Sequence, residues 1–383
     1  MIIKNLKLKF FIYNSIFPVL TWINKRLKHN RRQVFLYCNL SFRDNNRALY
    51  DYMIANDYNK RYKIVVSASD YKDFVSMAPE NVTFVGPLMA VMTYFSSKWV
   101  FYCIGKLPIE PADDQCVIHM EHGMPFKDAS EGQLKYNIKS QHYTNVMATG
   151  KCFVEPQARI YGVLQDKIFI SGNPKCDSLY LPNPQYDFGE YTKIVLWAPT
   201  FRKSASMNMQ DTMEEQPVIP VVDVGRFGEL NGYLKKMGVK IVVKLHPEQD
   251  LSKYDVVDMD YFILLSHQEF LKRGMELYRF MKQCDAMITD YSSIFYDFLL
   301  LDRPIGFTED DIDDYADKRG FAMDPDSYRP GMRLRSYDDV CAFIKELVDE
   351  NDCYKEDRDR VNSLVNEDMT GNYSRKVLDF VGL

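Results

Sequence analysis

The stretch Ile288-Thr289-Asp290-Tyr291-Ser292-Ser293-Ile294-Phe295-Tyr296-Asp297 changes character in mid-course. The apolar run from Ala286 to Thr289 has the composition of a buried strand, and it stops at Asp290. Two serines follow, and then Ile294, Phe295, Phe298 and Leu299 fall on one apolar helix face. A strand passing through a hydroxyl-bearing turn into a helix is the building step of an α/β fold. It sets hydroxyls and backbone N–H groups at a helix N-terminus, where the macrodipole favours an anion such as phosphate. Ser293 and Asp297 are four apart and share a helix face, so Asp297 is placed to hold a ligand hydroxyl beside that phosphate. A Ser N-cap with a solvated Asp has the same local sequence. The rest of the chain has to separate the two readings.

Outward from that stretch, short apolar runs alternate with longer amphipathic ones along most of the 383 residues. The runs predict strands at Val34–Cys38, Lys63–Ser67, Val82–Val85, Trp99–Ile104, Cys116–Met120, Val146–Thr149 and Ile168–Ser171. A second series is predicted at Ile194–Trp197, Lys240–Lys244, Phe262–Leu265, Met287–Thr289 and Ile305–Phe307. Helical patterns, for example Arg226–Met237 and Gly274–Cys284, lie between them. Such alternation implies parallel sheets. The length exceeds one ordinary core, and the turn-rich stretch from Leu181 to Glu190 reads as a linker. The expectation is two α/β halves, with ligands at the carboxyl ends of strands and the site in the cleft.

Composition narrows the function. With 46% hydrophobic and 26% charged residues the chain is of globular type. A net charge of -5 gives no general attraction to nucleic acid, and no nucleic-acid partner is expected. Eight cysteines are scattered without a Cys-x-x-Cys pair, and most read as reduced core thiols of a cytosolic protein. No glycine-rich P-loop is present, and no Asp-x-Asp pair stands at the carboxyl end of a strand. Neither ATP hydrolysis nor a metal site is expected.

The N-terminus is aromatic-rich and apolar from Phe10 to Ile23, interrupted by Asn14, Ser15 and Pro18. That is shorter than the about 20 apolar residues a membrane-spanning helix needs. Lys4, Lys7 and Lys9 precede it, and Lys25, Arg26, Lys28, Arg31 and Arg32 follow. The segment reads as lying in the interface of an anionic membrane, with about 1 kcal/mol from each nearby basic residue. The competing reading is a basic amphipathic first helix packed on its own domain.

Four short segments follow predicted strands, where a cleft would collect them. Glu121-His122-Gly123-Met124-Pro125-Phe126-Lys127 puts a histidine at a strand end, as a candidate base, with a glycine that allows close backbone approach. Gly172-Asn173-Pro174-Lys175-Cys176-Asp177 presents a cation on a turn. Trp197-Ala198-Pro199-Thr200-Phe201-Arg202 offers a hydroxyl and a cation. In Val242-Val243-Lys244-Leu245-His246-Pro247, strand alternation puts Lys244 and His246 on one face. Cations, two histidines and a serine pair suit a diphosphate that carries a transferable phosphoryl group.

Together these motifs resemble the CDP-glycerol glycerophosphotransferase family, the teichoic-acid primases and polymerases of Gram-positive bacteria. The carriers are His122-Gly123-x-Pro125-x-Lys127, Gly172-x-Pro174-Lys175-x-Asp177, Ala198-Pro199-Thr200-Phe201-Arg202, Lys244-Leu245-His246-Pro247, and Thr289-Asp290-Tyr291-Ser292-Ser293 with Asp297. Downstream, Tyr315-x-x-x-Arg319-Gly320-Phe321, Pro330-Gly331 and Gly371-Asn372-x-Ser374 continue the likeness over residues 116–375. The resemblance implies a GT-B fold of two Rossmann-like domains, with CDP-glycerol as donor substrate, no tightly bound cofactor and a lipid-linked acceptor. It implies His122 and His246 as the functional histidines. Gly123, Lys175, Pro199, Thr200, Arg202, Lys244, Ser292, Ser293 and Asp297 are then the donor-binding set. Lys175-Cys176 stands where the family commonly has Arg-Asn, and lysine lacks arginine's bidentate phosphate geometry.

The resulting division is a membrane-associating segment at 1–30 and an acceptor-side Rossmann-like domain at 31–182. A CDP-glycerol-binding domain at 191–350 and C-terminal helices at 351–383, packing back across the domains, complete it. The expected reaction is attack by an acceptor hydroxyl on the glycerol-side phosphorus, releasing CMP, at the cytoplasmic face of the cell membrane. His122 is the expected base; Lys244, His246 and the serine pair stabilise the diphosphate. The alternatives are a CDP-ribitol ribitolphosphotransferase, a nucleotide-sugar glycosyltransferase or hexosamine 2-epimerase of the same fold, and a non-catalytic scaffold for polymer-synthesising enzymes.

Overall fold

The computed structural model describes residues 12–128, 142–182, 185–200, 203–204, 209–210, 219–245, 259–318 and 320–383. The chain divides into two compact units. Unit 1 is Met1–Met124, Ala129–Asp177 and Glu367–Leu383; unit 2 is Pro125–Asp128 and Ser178–Asn366. The change from unit 1 to unit 2 falls at 177/178, a few residues before the stretch from Leu181 to Glu190 read as a linker. Of the C-terminal helices, Lys355–Val365 stays with unit 2 and Tyr373–Val381 joins unit 1.

Unit 1 is built on seven parallel strands: β1 Asn30–Tyr37, β2 Lys63–Ser67, β3 Val82–Val85, β4 Ser97–Tyr102, β5 Cys116–His119, β6 Asn145–Ala148 and β7 Ile168–Ile170. Their order is β3-β2-β1-β4-β5-β6-β7. Helices cover both faces of such a sheet, so its strands read as near-continuous apolar runs, and Val34, Phe35 and Leu36 are fully buried. β1 starts before the apolar run that predicted it, because Asn30 pairs across to Ser97.

Unit 2 holds β8 Lys193–Ala198, a two-stranded hairpin of β9 Lys203–Ser204 and β10 Met209–Gln210, then β11 Val239–Lys244, β12 Phe262–Leu265, β13 Ala286–Thr289, β14 Ile305–Thr308 and β15 Met332–Leu334. The main sheet is all parallel in the order β12-β11-β8-β13-β14-β15. Setting the hairpin aside, both sheets follow the doubly wound order 3-2-1-4-5-6, with β7 added as a seventh strand in unit 1. The strand order reverses between β1 and β4 in unit 1, and between β8 and β13 in unit 2. β15, which sequence patterning did not predict, has three residues, Met332-Arg333-Leu334, followed by Arg335. Gly331 lets it form: a Cβ there would lie 2.1 Å from the Ile305 carbonyl oxygen.

The segment before β1 forms a π-helical turn Ile12–Ile16 and a helix Phe17–Asn24. Phe17 and Leu20 pack on the unit 1 core, while Ile16, Val19 and Trp22 point outward, Val19 and Trp22 at 56% exposure. Asn24 is buried and donates to the Glu110 carbonyl (3.0 Å) and to Gln115 Oε1 (2.6 Å). Lys25 pairs with Glu110 at 2.6 Å. Among the described residues no helix is long and apolar enough to cross a membrane.

Candidate active site

In unit 1 the candidate residues stand at the carboxyl end of β5. Met120, Glu121 and His122 continue from the strand, and the chain passes into unit 2 between Met124 and Pro125. The His122 side chain is 62% exposed. Its Nδ1 lies 3.0 Å from Glu121 Oε2, the oxygen that also accepts from the His122 backbone N–H at 2.9 Å. Desolvation in the loop works against the imidazolium, but the Glu121 carboxylate outweighs it and holds His122 above the ordinary imidazole value.

Lys175, expected to face a donor phosphate, is 7% exposed, and its ammonium donates to the His122 carbonyl. It supports the histidine loop from behind. Asn45 completes the support: it donates to the carbonyls of Met120 (3.0 Å) and Glu121 (2.8 Å) and accepts from the Lys175 N–H (3.1 Å). Gly172 and Asp177 of the 172–177 motif serve the last helix. Asp177 accepts from the N–H groups of Tyr373 (2.6 Å) and Ser374 (2.9 Å) at the start of the last helix. A Cβ on Gly172 would come within 2.2 Å of the Tyr373 ring.

In unit 2 the candidate residues gather at the switch point between β8 and β13. Asp290 is fully buried directly after β13. It accepts from the Thr200 N–H (2.8 Å), the Thr200 hydroxyl and the Ser292 N–H (3.2 Å). One carboxylate thus fastens the turn after β8 to the serine turn after β13. Ser292 and Ser293 are half-buried, and Ser293 sits at the N-cap position without a side-chain capping bond. The simple Ser-cap reading therefore does not hold. The helix that follows, Ile294–Phe298, has only five residues before a 3-10 turn. Its macrodipole is short, so any phosphate affinity here rests mainly on hydroxyls and local N–H groups.

Asp297 departs from its expected setting: it is 2% exposed and its Oδ2 accepts from the Tyr278 hydroxyl at 2.6 Å. Lys244 ends β11, half-buried, with Nζ 5.7 Å from the Phe270 ring centroid. Pro199 and Thr200 are half-buried on the turn after β8, and Gly123 is half-buried beside His122. His246 and Arg202 lie outside the described residues.

The second half of the histidine motif belongs to unit 2. Phe126 packs on Phe321, Phe295 and Tyr296, and Lys127 bridges Phe321 as in an antiparallel pair. Residues 126–128 and 320–322 are therefore partners within unit 2. Among the described residues no group of three His, Cys, Asp or Glu side chains could hold a metal ion. Sequence reasoning missed Glu121, Tyr161, Asn45 and Asp290 as organisers. Asp290 was visible as the residue that ends a strand and as a member of a family motif, without its Thr200 partner.

The model of one protein family, CDP-glycerol:poly(glycerophosphate) glycerophosphotransferase, matches residues 19–383. The chain belongs to that family. It is 25% identical over 339 residues to the teichoic acid poly(ribitol-phosphate) polymerase of Bacillus spizizenii, covering 81% of this chain but 51% of that protein, about half its length. With the teichoic acid poly(glycerol phosphate) polymerase of the same organism it shares 24% identity over 407 residues, covering 96% of this chain and 95% of the relative. Among solved structures, the wall teichoic acid polymerase TagF superposes with a TM-score of 0.70 at 18% identity, covering 98% of this chain and 95% of TagF. That likeness carries the fold, and the two parallel-sheet units are of the GT-B class.

Proposed function

We propose that this family member transfers glycerol phosphate from CDP-glycerol to a hydroxyl of a lipid-linked saccharide or glycerol-phosphate acceptor, releasing CMP, in teichoic acid or capsular polymer synthesis. The observation that carries the reading is the exposed imidazole of His122, paired at Nδ1 with a buried carboxylate, at the carboxyl end of β5. In this reading His122 Nε2 takes the proton of the acceptor hydroxyl as the new P–O bond forms. The bond between the glycerol-side phosphorus and the bridging oxygen breaks, and that oxygen leaves with CMP. The leaving group is good, so proton removal and charge neutralisation are the tasks left to the protein. Thr200, Lys244, Ser292 and Ser293 would hold the donor diphosphate, with Arg202 and His246 beside them in the sequence motifs.

Glycerol is favoured over ribitol because the family model is a glycerophosphotransferase one, and the poly(glycerol phosphate) polymerase is the relative matched over nearly its whole length. One of the related TagF structures is a histidine variant soaked with CDPG. The acceptor side is read from the exposed Ile16, Val19 and Trp22 on the first helix, followed by exposed Arg26, Lys28, Arg31 and Arg32. That face suits the surface of an anionic membrane and a peripheral location on its cytoplasmic side.

The deciding experiment incubates the protein with CDP-glycerol, CDP-ribitol and UDP-sugars, each with lipid-linked acceptors, and identifies the nucleotide released. CMP from CDP-glycerol, abolished by His122→Ala, is the expected result. UDP release alone would replace the reading with a sugar transferase, and absent nucleotide binding by calorimetry would leave a scaffold.

A further inference from the structure

The residue before the histidine is held in a way that the histidine alone does not explain. Glu121 has a φ of 60°, in the left-handed region that side chains other than glycine's rarely adopt. It is 6% exposed. Its N–H donates to His119 Nδ1 at 3.1 Å, which fixes His119 as the neutral tautomer protonated at Nε2. Burial agrees, pushing the His119 pKa down to about 4. The Glu121 carbonyl accepts from Cys103 Sγ at 3.0 Å and Asn45 Nδ2 at 2.8 Å. Its Oε1 accepts from the Tyr161 hydroxyl, and its Oε2 serves both the N–H and Nδ1 of His122.

A turn that only had to bend this way would be easier with glycine. The carboxylate is what the conformation aims. We propose that Glu121 is the positioning residue for His122: it accepts Nδ1–H, fixes the ring plane with Tyr161 as its own brace, and leaves the Nε2 lone pair as the proton acceptor. The inference rests on the reading of His122 as the base and adds the group that sets its tautomer and basicity.

Within unit 1 the charged and titratable groups that act on His122 are Glu121 and Asp44, which favour the imidazolium, and Lys175, which opposes it. His119 and Tyr161 face it through Glu121. The sign follows. A general base works when neutral, so kcat/KM rises with pH as His122 loses its proton. Removing the carboxylate lowers the His122 pKa, so the rising limb moves to lower pH. The plateau drops at the same time, because the base is weaker and its ring is no longer held.

The test compares Glu121→Gln, Glu121→Gly, Tyr161→Phe and His122→Ala in the full chain. CMP release from CDP-glycerol is measured across pH, and nitrogen NMR of labelled histidine reads the His122 tautomer. Both Glu121 variants are expected to shift the limb down in pH and to lower kcat about 10-fold or more, within the 10²–10⁴ a general base supplies. The donor KM should stay unchanged. Glycine relieves the backbone strain, so Glu121→Gly keeps the test valid if the glutamine variant does not fold. Wild-type limbs and kcat in both variants, or a His122 protonated at Nε2 in the native protein, would overturn the inference. Full transfer by His122→Ala would instead remove the base reading, and the tautomer measurement would still judge Glu121.

Discussion

Replacing Asp290 with asparagine should loosen the turns of unit 2 proposed to bind the donor, and the structure gives the size of the effect. Asp290 is fully buried, and among the described residues it accepts two bonds on Oδ1 (the Thr200 hydroxyl and the Ser292 N–H at 3.2 Å) and one on Oδ2 (the Thr200 N–H at 2.8 Å). An amide keeps one oxygen. Whichever way it turns, a backbone N–H of Thr200 or Ser292 is left facing an NH₂ group. A bond to a charged group is worth about 1.5–3 kcal/mol, and a stranded buried donor costs about 1–3 kcal/mol. Partial relaxation of the turn reduces the sum, so about 3 kcal/mol is expected. For a unit of this size that is about 6–12 °C in the unfolding temperature. Function should suffer at the donor, since Asp290 fastens Thr200 to the serine turn. The donor KM should rise about 10-fold, equivalent to about 1.4 kcal/mol of binding. Calorimetric unfolding and donor titrations of CMP release check the two parts. A variant with native thermal stability and a donor KM within twofold would show that the carboxylate organises nothing.

Gly172→Ala should destabilise unit 1 by about 1–3 kcal/mol through overpacking, because the Tyr373 ring it meets is fully buried and its hydroxyl donates to the Asp368 carbonyl at 2.9 Å. Hydrogen exchange of the Tyr373–Val381 helix should speed up; unchanged exchange would refute the packing argument. Glu309→Ala should cost about 3–5 kcal/mol in urea unfolding of unit 2, since it strands the buried Arg329, whose Nη2 lies 2.7 Å from the carboxylate. At the N-terminus, the double substitution Val19→Glu, Trp22→Glu should abolish sedimentation with anionic liposomes while leaving the donor KM alone. Substitution is the better probe than deletion, because Asn24 and Lys25 tie the helix to unit 1. Wild-type binding should weaken with salt, and salt-independent binding would exclude the basic residues from it.

Much of the fold was legible because parallel strands buried on both faces spell themselves as apolar runs. Lys63–Ser67, Val82–Val85 and Phe262–Leu265 begin and end where the pattern says. β15 escaped because three residues with an arginine in the middle carry no periodicity, and its pairing depends on the missing side chain of Gly331. The candidate site was legible as positions. The partners were not: Asp177 with Tyr373, Phe126 with Phe321, and Asp290 with Thr200 are separated by scores of residues.

The amino-acid order by itself determined two α/β halves with parallel strands, the turns that follow those strands, and the chemical groups the turns carry. Those properties follow from local hydrophobic pattern and from residue types at short spacing. Tertiary structure alone decided what each group does. It turned Lys175 inward to a carbonyl and spent Asp297 on Tyr278. It also drew Glu121 into a left-handed bend against His122. Burial and hydrogen-bond partners come from residues far away in the chain, and they fix whether a side chain meets a ligand or holds up its neighbour.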